Sequence, residues 1–390
     1  MATVLQVLPA LESGGVEKGT LEIARALVAA GHRSLVVSNG GRLVAQLERE
    51  GSHHIALPIG RKRLSTLRLS KTLQTLWRDE NVDLVHVRSR MPGWVVWRAW
   101  NALPPVQRPR LVTTVHGYYT PGWYSSVMVR GERVICVSES VKRHIQKHFD
   151  VESSRVEVIH RGVDTTEYPA GDVAPQTWRQ EFCRSLGINT QSRRIITLPA
   201  RLTRWKGQET FIDLIDRLRP AHPDILGLMV GGFDPRKHRY VRRLNDNIVK
   251  RGLTEHVKIL GQRNDLRQIM TISEIVLSLS NEPEAFGRTT LEALALGRPL
   301  VGFDHGGVAE QLAACRRGWP VPPTDIAALE ATVNAVLNHQ SSGPSSTTEA
   351  THFTSTINGS TPSALPDVFT LAHMQKQTLD LYDRLLQGDR

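Results

Sequence analysis

Short runs of Val, Ile and Leu alternate with amphipathic helical patterns along most of this chain, and the alternation starts twice. VLQVLP (4–9) reads as a buried strand, LESGG as a loop and VEKGTLEIARALVAAGH (16–32) as an amphipathic helix. SLVVSN, DLVHV (83–87), LVTTVHG (111–117), RVICVS (133–138) and VEVIHRG (156–162) continue the strands, with helical segments between most of them. The pattern restarts with the strand RIITLPA (194–200), the helix GQETFIDLIDRL (207–218) and the strand ILGLMVGG (225–232). HVKILG, IVLSLS (275–280), the helix GRTTLEALALG (287–297), PLVGF and WPVPP follow. Apolar strands separated by helices call for a parallel sheet covered on both faces. The expectation is an α/β protein of two successive doubly wound, Rossmann-like domains.

Length agrees, because 390 residues are too many for one ordinary core and suffice for two. The expected layout is an N-terminal domain over 1–166, a linker region over 167–192 and a second domain over 193–339. A Ser/Thr-rich mobile loop over 340–364 and a C-terminal helix over 365–390 complete it. That helix recovers apolar spacing through Leu371, Met374, Leu379, Leu381 and Leu385, and the N-terminal domain is one surface on which it could dock. Cys136, Cys183 and Cys315 share no short spacing, which argues against a disulfide framework or a zinc site and fits a reducing cytoplasm. The opening MATVLQVLPALESGG lacks a basic n-region, and no window is apolar enough to span a bilayer. A soluble or peripheral protein is expected. Its net charge of +11 favours anionic partners, among them nucleic acid, acidic membrane and phosphorylated small molecules.

Open parallel sheets bind ligands at the carboxyl ends of their strands. Arg201 directly follows RIITLPA, and Lys206 stands five residues later, before Gly207 and a helix. Two cations at one strand-to-helix turn suit a diphosphate, although two solvated basic residues would look the same. In NEPEAFGRTTLEALALGRPLVGFDHGG (281–307), Glu284 sits at a strand end, Gly287 opens a helix and Glu292 lies inside that helix in apolar surroundings. Carboxylates accept hydrogen bonds from the vicinal diols of a ribose or pyranose. Glu282 reads as a solvated neighbour. Gly14 and Gly15 lie between the first strand and first helix, where the backbone could approach a phosphate or simply turn. His116, Arg88 and Glu139 each follow a strand.

The Glu284-x7-Glu292 stretch with Phe286-Gly287 inside it, the LEALALGRPLVGFDHGG run and the upstream Arg201/Lys206-Gly207 pair resemble the retaining GT-B glycosyltransferases of family 4. The N-terminal glycine loop and the His116-Gly117 step match as well, so the resemblance covers almost the whole chain. It implies a GT-B architecture, two Rossmann-like domains facing a central cleft. Arg201 and Lys206 would hold the donor diphosphate, Glu284 the sugar hydroxyls with Phe286 and Gly287 beside it, and Glu292 the ribose. Arg263 stands where family members contact the base, and Gly14 and Gly15 where a loop meets the donor phosphates. His116 would lie by the reacting sugar, and Arg88 and Glu139 could meet the acceptor. Two departures stand out. Arg161-Gly162-Val163-Asp164 carries Arg where the family has Asn, and Gly232 replaces a common acid, which Asp234 would have to supply.

The resemblance further implies retention of configuration without a covalent intermediate, and no metal or other cofactor. The protein's own cations would take the part of a metal ion. The opening segment and SRMPGW look closest to bacterial enzymes that build lipopolysaccharide core oligosaccharide. Such an acceptor, an anionic saccharide or lipid-linked, would suit the basic charge. UDP-glucose and UDP-N-acetylglucosamine are the first donors to consider, then GDP-mannose and ADP-heptose. RKRLSTLRLSKTLQTLWR (61–78), with six basic residues and no acid, could touch anionic lipid at the inner face of the cytoplasmic membrane. A sheet-packing helix with a wet basic face explains it equally well. Two other classes stay in view: a nucleotide-sugar epimerase or hydrolase of the same fold, and a nucleic-acid-binding protein. Against the latter, no recognised nucleic-acid module is present and the basic residues are dispersed.

Overall fold

The computed structural model describes residues 1–12, 14–187, 192–234, 236, 238–315, 317–341 and 365–388. The chain divides into two units, Met1–Gly162 with Val368–Arg390, and Val163–Asp367.

The first unit holds seven strands: β1 (Thr3–Val7), β2 (Arg33–Ser38), β3 (His53–Ala56), β4 (Leu84–Val87), β5 (Arg110–Val115), β6 (Arg133–Cys136) and β7 (Val156–Val158). They pair in parallel in the order β3-β2-β1-β4-β5-β6-β7. Every residue of β1 and β4 is buried, as both faces of the sheet are covered. Val4 of β1 is in register with Ser34 on one side and Leu84 on the other. The order reverses at β1, so the crevice between the carboxyl ends of β1 and β4 is this sheet's natural ligand position.

The final helix, Leu371–Gln387, completes this unit. Thr370 caps it by accepting from the His373 amide. Leu371, Met374, Leu381, Tyr382 and Leu385 pack with Val4, Ile23, Leu27, Leu84, Val112, Ile135 and Ile159. Burying each such aliphatic side chain stabilises the unit by roughly 1.5–3 kcal/mol before entropy is counted. Gln375 Nε2 donates to the Glu22 carbonyl at 2.8 Å, tying the helix to Gly15–Ala29.

The second unit carries β8 (Arg194–Pro199), β9 (Ile225–Val230), β10 (Val257–Gly261), β11 (Ile275–Ser278), β12 (Leu300–Phe303) and β13 (Gly318–Val321). All are parallel, in the order β10-β9-β8-β11-β12-β13, with the reversal between β8 and β11. The α/β reading with two doubly wound halves therefore holds. Where the sequence suggests a linker region, residues Gln176–Leu186 form a helix that ends on left-handed Gly187. Its Phe182, stacked on Trp178, packs against Ile195, Leu226, Leu228 and Ile269 of the second sheet's core. The segment read as a mobile loop over 340–364 lies, from 342 onward, outside the described residues.

Candidate active site

In the second unit the loops after β8 and β11 are pressed together, and glycine makes this possible. Gly207 has φ +78°, and a Cβ there would stand 2.0 Å from the Leu279 carbonyl oxygen. The Asn281 amide donates to the Trp205 carbonyl at 2.7 Å. Lys206 is thereby brought to Glu284, with Nζ 2.7 Å from Oε2 and both side chains under a fifth exposed. Burial lowers the Lys206 pKa, and the Glu284 carboxylate opposes that shift. Arg201 is close enough to lower it further. The Arg201 side chain is exposed and has no protein partner among the described residues, which leaves a guanidinium available to an anion.

Glu284 is held from several sides. The Ser280 hydroxyl donates to its Oε1, and the Gly307 amide donates to its main-chain carbonyl at 2.7 Å. His305 Nε2 donates to the Ser280 carbonyl at 2.7 Å. Gly306, at φ +65°, lets the Gly306–Ala314 helix approach the Glu284 backbone, since a Cβ there would meet the Glu284 oxygen at 2.5 Å. Gly287, at φ +86°, opens the Arg288–Ala295 helix, whose first amides are directed away from its own hydrogen-bond ladder. Phe286 is buried, and its carbonyl accepts from Gln311 Nε2 at 2.6 Å. Glu292 is buried within the same helix, near Tyr168, whose hydroxyl is pushed up by burial and by the Glu292 charge. Arg263 donates twice to Asp265, at 2.8 and 2.5 Å, and holds that carboxyl below its usual range. Gly232 lies after β9, and the Asp234 carboxylate is taken by Arg236.

In the first unit, Gly14 precedes the Gly15–Ala29 helix with φ +152°. A Cβ on Gly14 would meet Glu17 Oε2 at 2.7 Å, so an acid of the helix's first turn curls back to this loop. A phosphate at the same loop would require Glu17 to turn away. His116 follows β5, and its Nδ1 lies 2.7 Å from Arg161 Nη2. Burial first, then the charges of Arg161 and Arg88, push His116 well below the ordinary histidine range. Glu139 is exposed at the start of the Glu139–His148 helix, which Ser138 caps. Arg88 is in the interior, only 2 % exposed, and donates through Nε to Gln6 Oε1 at 2.7 Å. Next to it, His86 bonds Tyr382 at 2.5 Å and Thr114 at 2.6 Å. The apolar stripe of the basic 61–78 segment is also internal. Leu73 and Trp77 are buried, and Gln74 Nε2 reaches the Ala99 carbonyl at 2.9 Å, while Arg61, Lys62 and Arg63 are exposed.

The sequence reading found Lys206 and Glu284 separately. It missed Ser280 and His305, which brace Glu284, and the bond from Arg161 to His116. A hydroxyl and a histidine on strand ends carry no spacing signal, and only the fold brings them into contact.

Comparison with known proteins bears on the family and the fold. Residues 13–167 match the family model of glycosyltransferase family 4, and residues 179–351 match that of glycosyl transferases group 1. A glycosyltransferase from Rickettsia africae superposes with a TM-score of 0.86 at 29% identity, covering 100% of this chain and 99% of that one. Anabaena Alr3699/HepE in complex with UDP-glucose superposes at 0.78 with 22% identity, over 98% of this chain and 100% of that one. Spore coat protein SA of Bacillus subtilis is 23% identical over 334 residues, 82% of this chain and 84% of its own. Two doubly wound units with these loops define an enzyme of GT-B architecture. The chain belongs to the glycosyltransferase superfamily that these two models describe, and it is a transferase acting on a nucleotide-sugar donor and an acceptor.

Proposed function

We propose that this enzyme moves a hexose from a UDP-sugar to a saccharide acceptor with retention of configuration, and that the acceptor is lipopolysaccharide core oligosaccharide. The observation that carries the proposal is the Lys206–Glu284 pair, held by glycine contacts at the β8/β11 switch point beside exposed Arg201. Arg201 and Lys206 take the donor diphosphate, and their charge-assisted hydrogen bonds contribute on the order of 1.5–3 kcal/mol each as the leaving group gains charge. Glu284 releases Lys206 to the phosphate and turns its carboxylate to the sugar hydroxyls, with Phe286 and Gly287 alongside. Glu292 holds the ribose, and Arg263 sits by the base. The departing phosphate oxygen takes the acceptor hydroxyl's proton on the face it leaves.

From the first unit, Gly14 and Gly15 offer backbone amides to phosphate, and His116 offers a neutral hydrogen bond to the transferring sugar. Glu139 is the exposed acceptor-side group, whereas Arg88, buried, acts through the charge it places near His116. A UDP-glucose complex of the similar Anabaena protein supports the uridine choice. A surplus of 49 Lys and Arg over 38 Asp and Glu supports an anionic acceptor, and the exposed Arg61–Arg63 run supports contact with anionic membrane. No helix among the described residues is long and apolar enough to cross a membrane. Thermal shift against UDP-glucose, UDP-N-acetylglucosamine, GDP-mannose and ADP-heptose tests the donor, because a ligand binding only the folded state raises its stability. NMR of the product's anomeric proton tests retention. Stabilisation by none of the four, or an inverted product, refutes the corresponding part. Free sugar formed equally with and without acceptor would instead indicate a hydrolase.

A further inference from the structure

The Arg161 side chain departs from the Asn of the family pattern, and the structure gives it a definite neighbour. We propose that Arg161 is a positioning residue that fixes the His116 ring as the neutral tautomer carrying its proton on Nε2. The inference rests on the reading of His116 as a group that meets the transferring sugar.

A guanidinium has donors and no acceptor, so the 2.7 Å contact from Arg161 Nη2 obliges His116 Nδ1 to accept. The ring proton then belongs to Nε2. That nitrogen is buried and has no hydrogen-bond partner among the described residues, so its N–H is uncommitted there. A second proton on Nδ1 would confront Arg161 directly, and the site opposes it in other ways. Burial, Arg161, Arg88 and His86 all keep the imidazole uncharged. His86 lies in β4 and Arg88 directly follows that strand, and together with Arg161 they line a small cavity of about 10 Å³. Glu22 on the Gly15–Ala29 helix and Tyr382 on the final helix face Arg88. Tyr119, beyond His116, faces its main chain.

The surroundings make room for this arginine. Gly19 lies inside the Gly15–Ala29 helix, where glycine is unfavourable, and a Cβ there would stand 2.2 Å from Arg161 Nη1 and 2.8 Å from Cζ. The helix lacks a side chain where the guanidinium lies.

The test uses the full chain labelled with ¹⁵N-histidine and long-range ¹H–¹⁵N correlation from pH 5.5 to 8, with His116 assigned by its loss in His116→Gln. In the wild type, His116 should show the neutral Nε2–H pattern throughout. In Arg161→Asn it should show mixed tautomers and titrate closer to the ordinary histidine value. Release of UDP from UDP-glucose by that variant should fall at least threefold between pH 8 and pH 6 beyond any wild-type change, with an unchanged KM. If Arg161→Asn does not fold, Gly19→Ala, which displaces the guanidinium, must produce the same spectral change. A wild-type proton on Nδ1, or a variant spectrum identical to wild type, overturns the proposal. Wild-type turnover by His116→Gln, with the expected spectra, instead refutes the role given to the histidine and leaves the hold of Arg161 on the ring intact.

Discussion

Replacing Lys206 by alanine separates a site that acts on the leaving group from an ion pair that merely holds two loops together. Lys206 Nζ lies 2.7 Å from Glu284 Oε2, with side-chain exposures of 13% and 17%. In the free enzyme the substitution leaves Glu284 with the Ser280 hydroxyl as its named side-chain donor, at a cost of roughly 1–3 kcal/mol for a carboxylate that water can still partly reach. For a unit of this size, each kcal/mol lowers Tm by roughly 2–4 °C, so a fall of about 2–12 °C is expected. In the transition state the loss is one charge-assisted bond to the departing phosphate. Its worth of about 1.5–3 kcal/mol lowers kcat by roughly 10–150-fold. Arg201 still serves the phosphate and prevents a complete loss. The assay is UDP release from UDP-glucose at saturating donor, with Tm measured on the same preparation. A kcat within twofold of wild type, alongside the lowered Tm, would show that the pair is structural only and would refute the phosphate assignment.

Gly19→Ala should destabilise the wild-type protein in urea unfolding. In an Arg161→Asn background it should be neutral or stabilising by up to about 1 kcal/mol, since only the helix-propensity gain remains; additive effects would contradict the packing argument. His86 and His116 are held well below the ordinary 6.5, so they are neutral when folded and take up protons when unfolded as pH drops. Their neutral-state stability is present above about 6.5 and is lost on acidification toward the folded values, by up to about 1.4 kcal/mol per pH unit for each group. Urea titrations at pH 7.5 and 5.5 measure this, and equal stabilities would refute it. Reversing the charges of Arg61, Lys62 and Arg63 should abolish sedimentation with phosphatidylglycerol vesicles, and no sedimentation of the wild type would end the membrane proposal.

Much of the fold was legible because its strands are buried on both faces. TVLQV and LVHV are mostly Val and Leu and lie entirely in the interior, where their polar members Gln6 and His86 are satisfied by Arg88, Tyr382 and Thr114. The Gln176–Leu186 helix escaped detection because its polar run QTWRQEFCRSL buries chiefly Phe182. Lys206 and Glu284 were each visible after a strand, but their pairing depends on β8 lying beside β11, which no local pattern states. Arg88 looked like a rim residue because a cation after a strand usually is one. Its burial depends on Gln6 and on Tyr382, which arrives almost three hundred residues later. Arg161 stands in the sequence only as a departure from a familiar turn, because its neighbours Gly19 and His116 are brought to it by the fold and by no local spacing.

The last helix makes the first domain wait. Between Gly162 and Val368 a ribosome must add the 205 residues of the other unit, Val163 to Asp367, which takes about 10–40 s at ordinary elongation rates. Throughout that interval the faces of Ile23, Leu27 and Ile135 destined for Met374, Leu381 and Tyr382 lack their cover. The N-terminal half is therefore born adhesive. It must be shielded, or stay loosely folded, until nearly all of the message has been read, and a nascent chain cut short before Leu371 would expose that surface indefinitely.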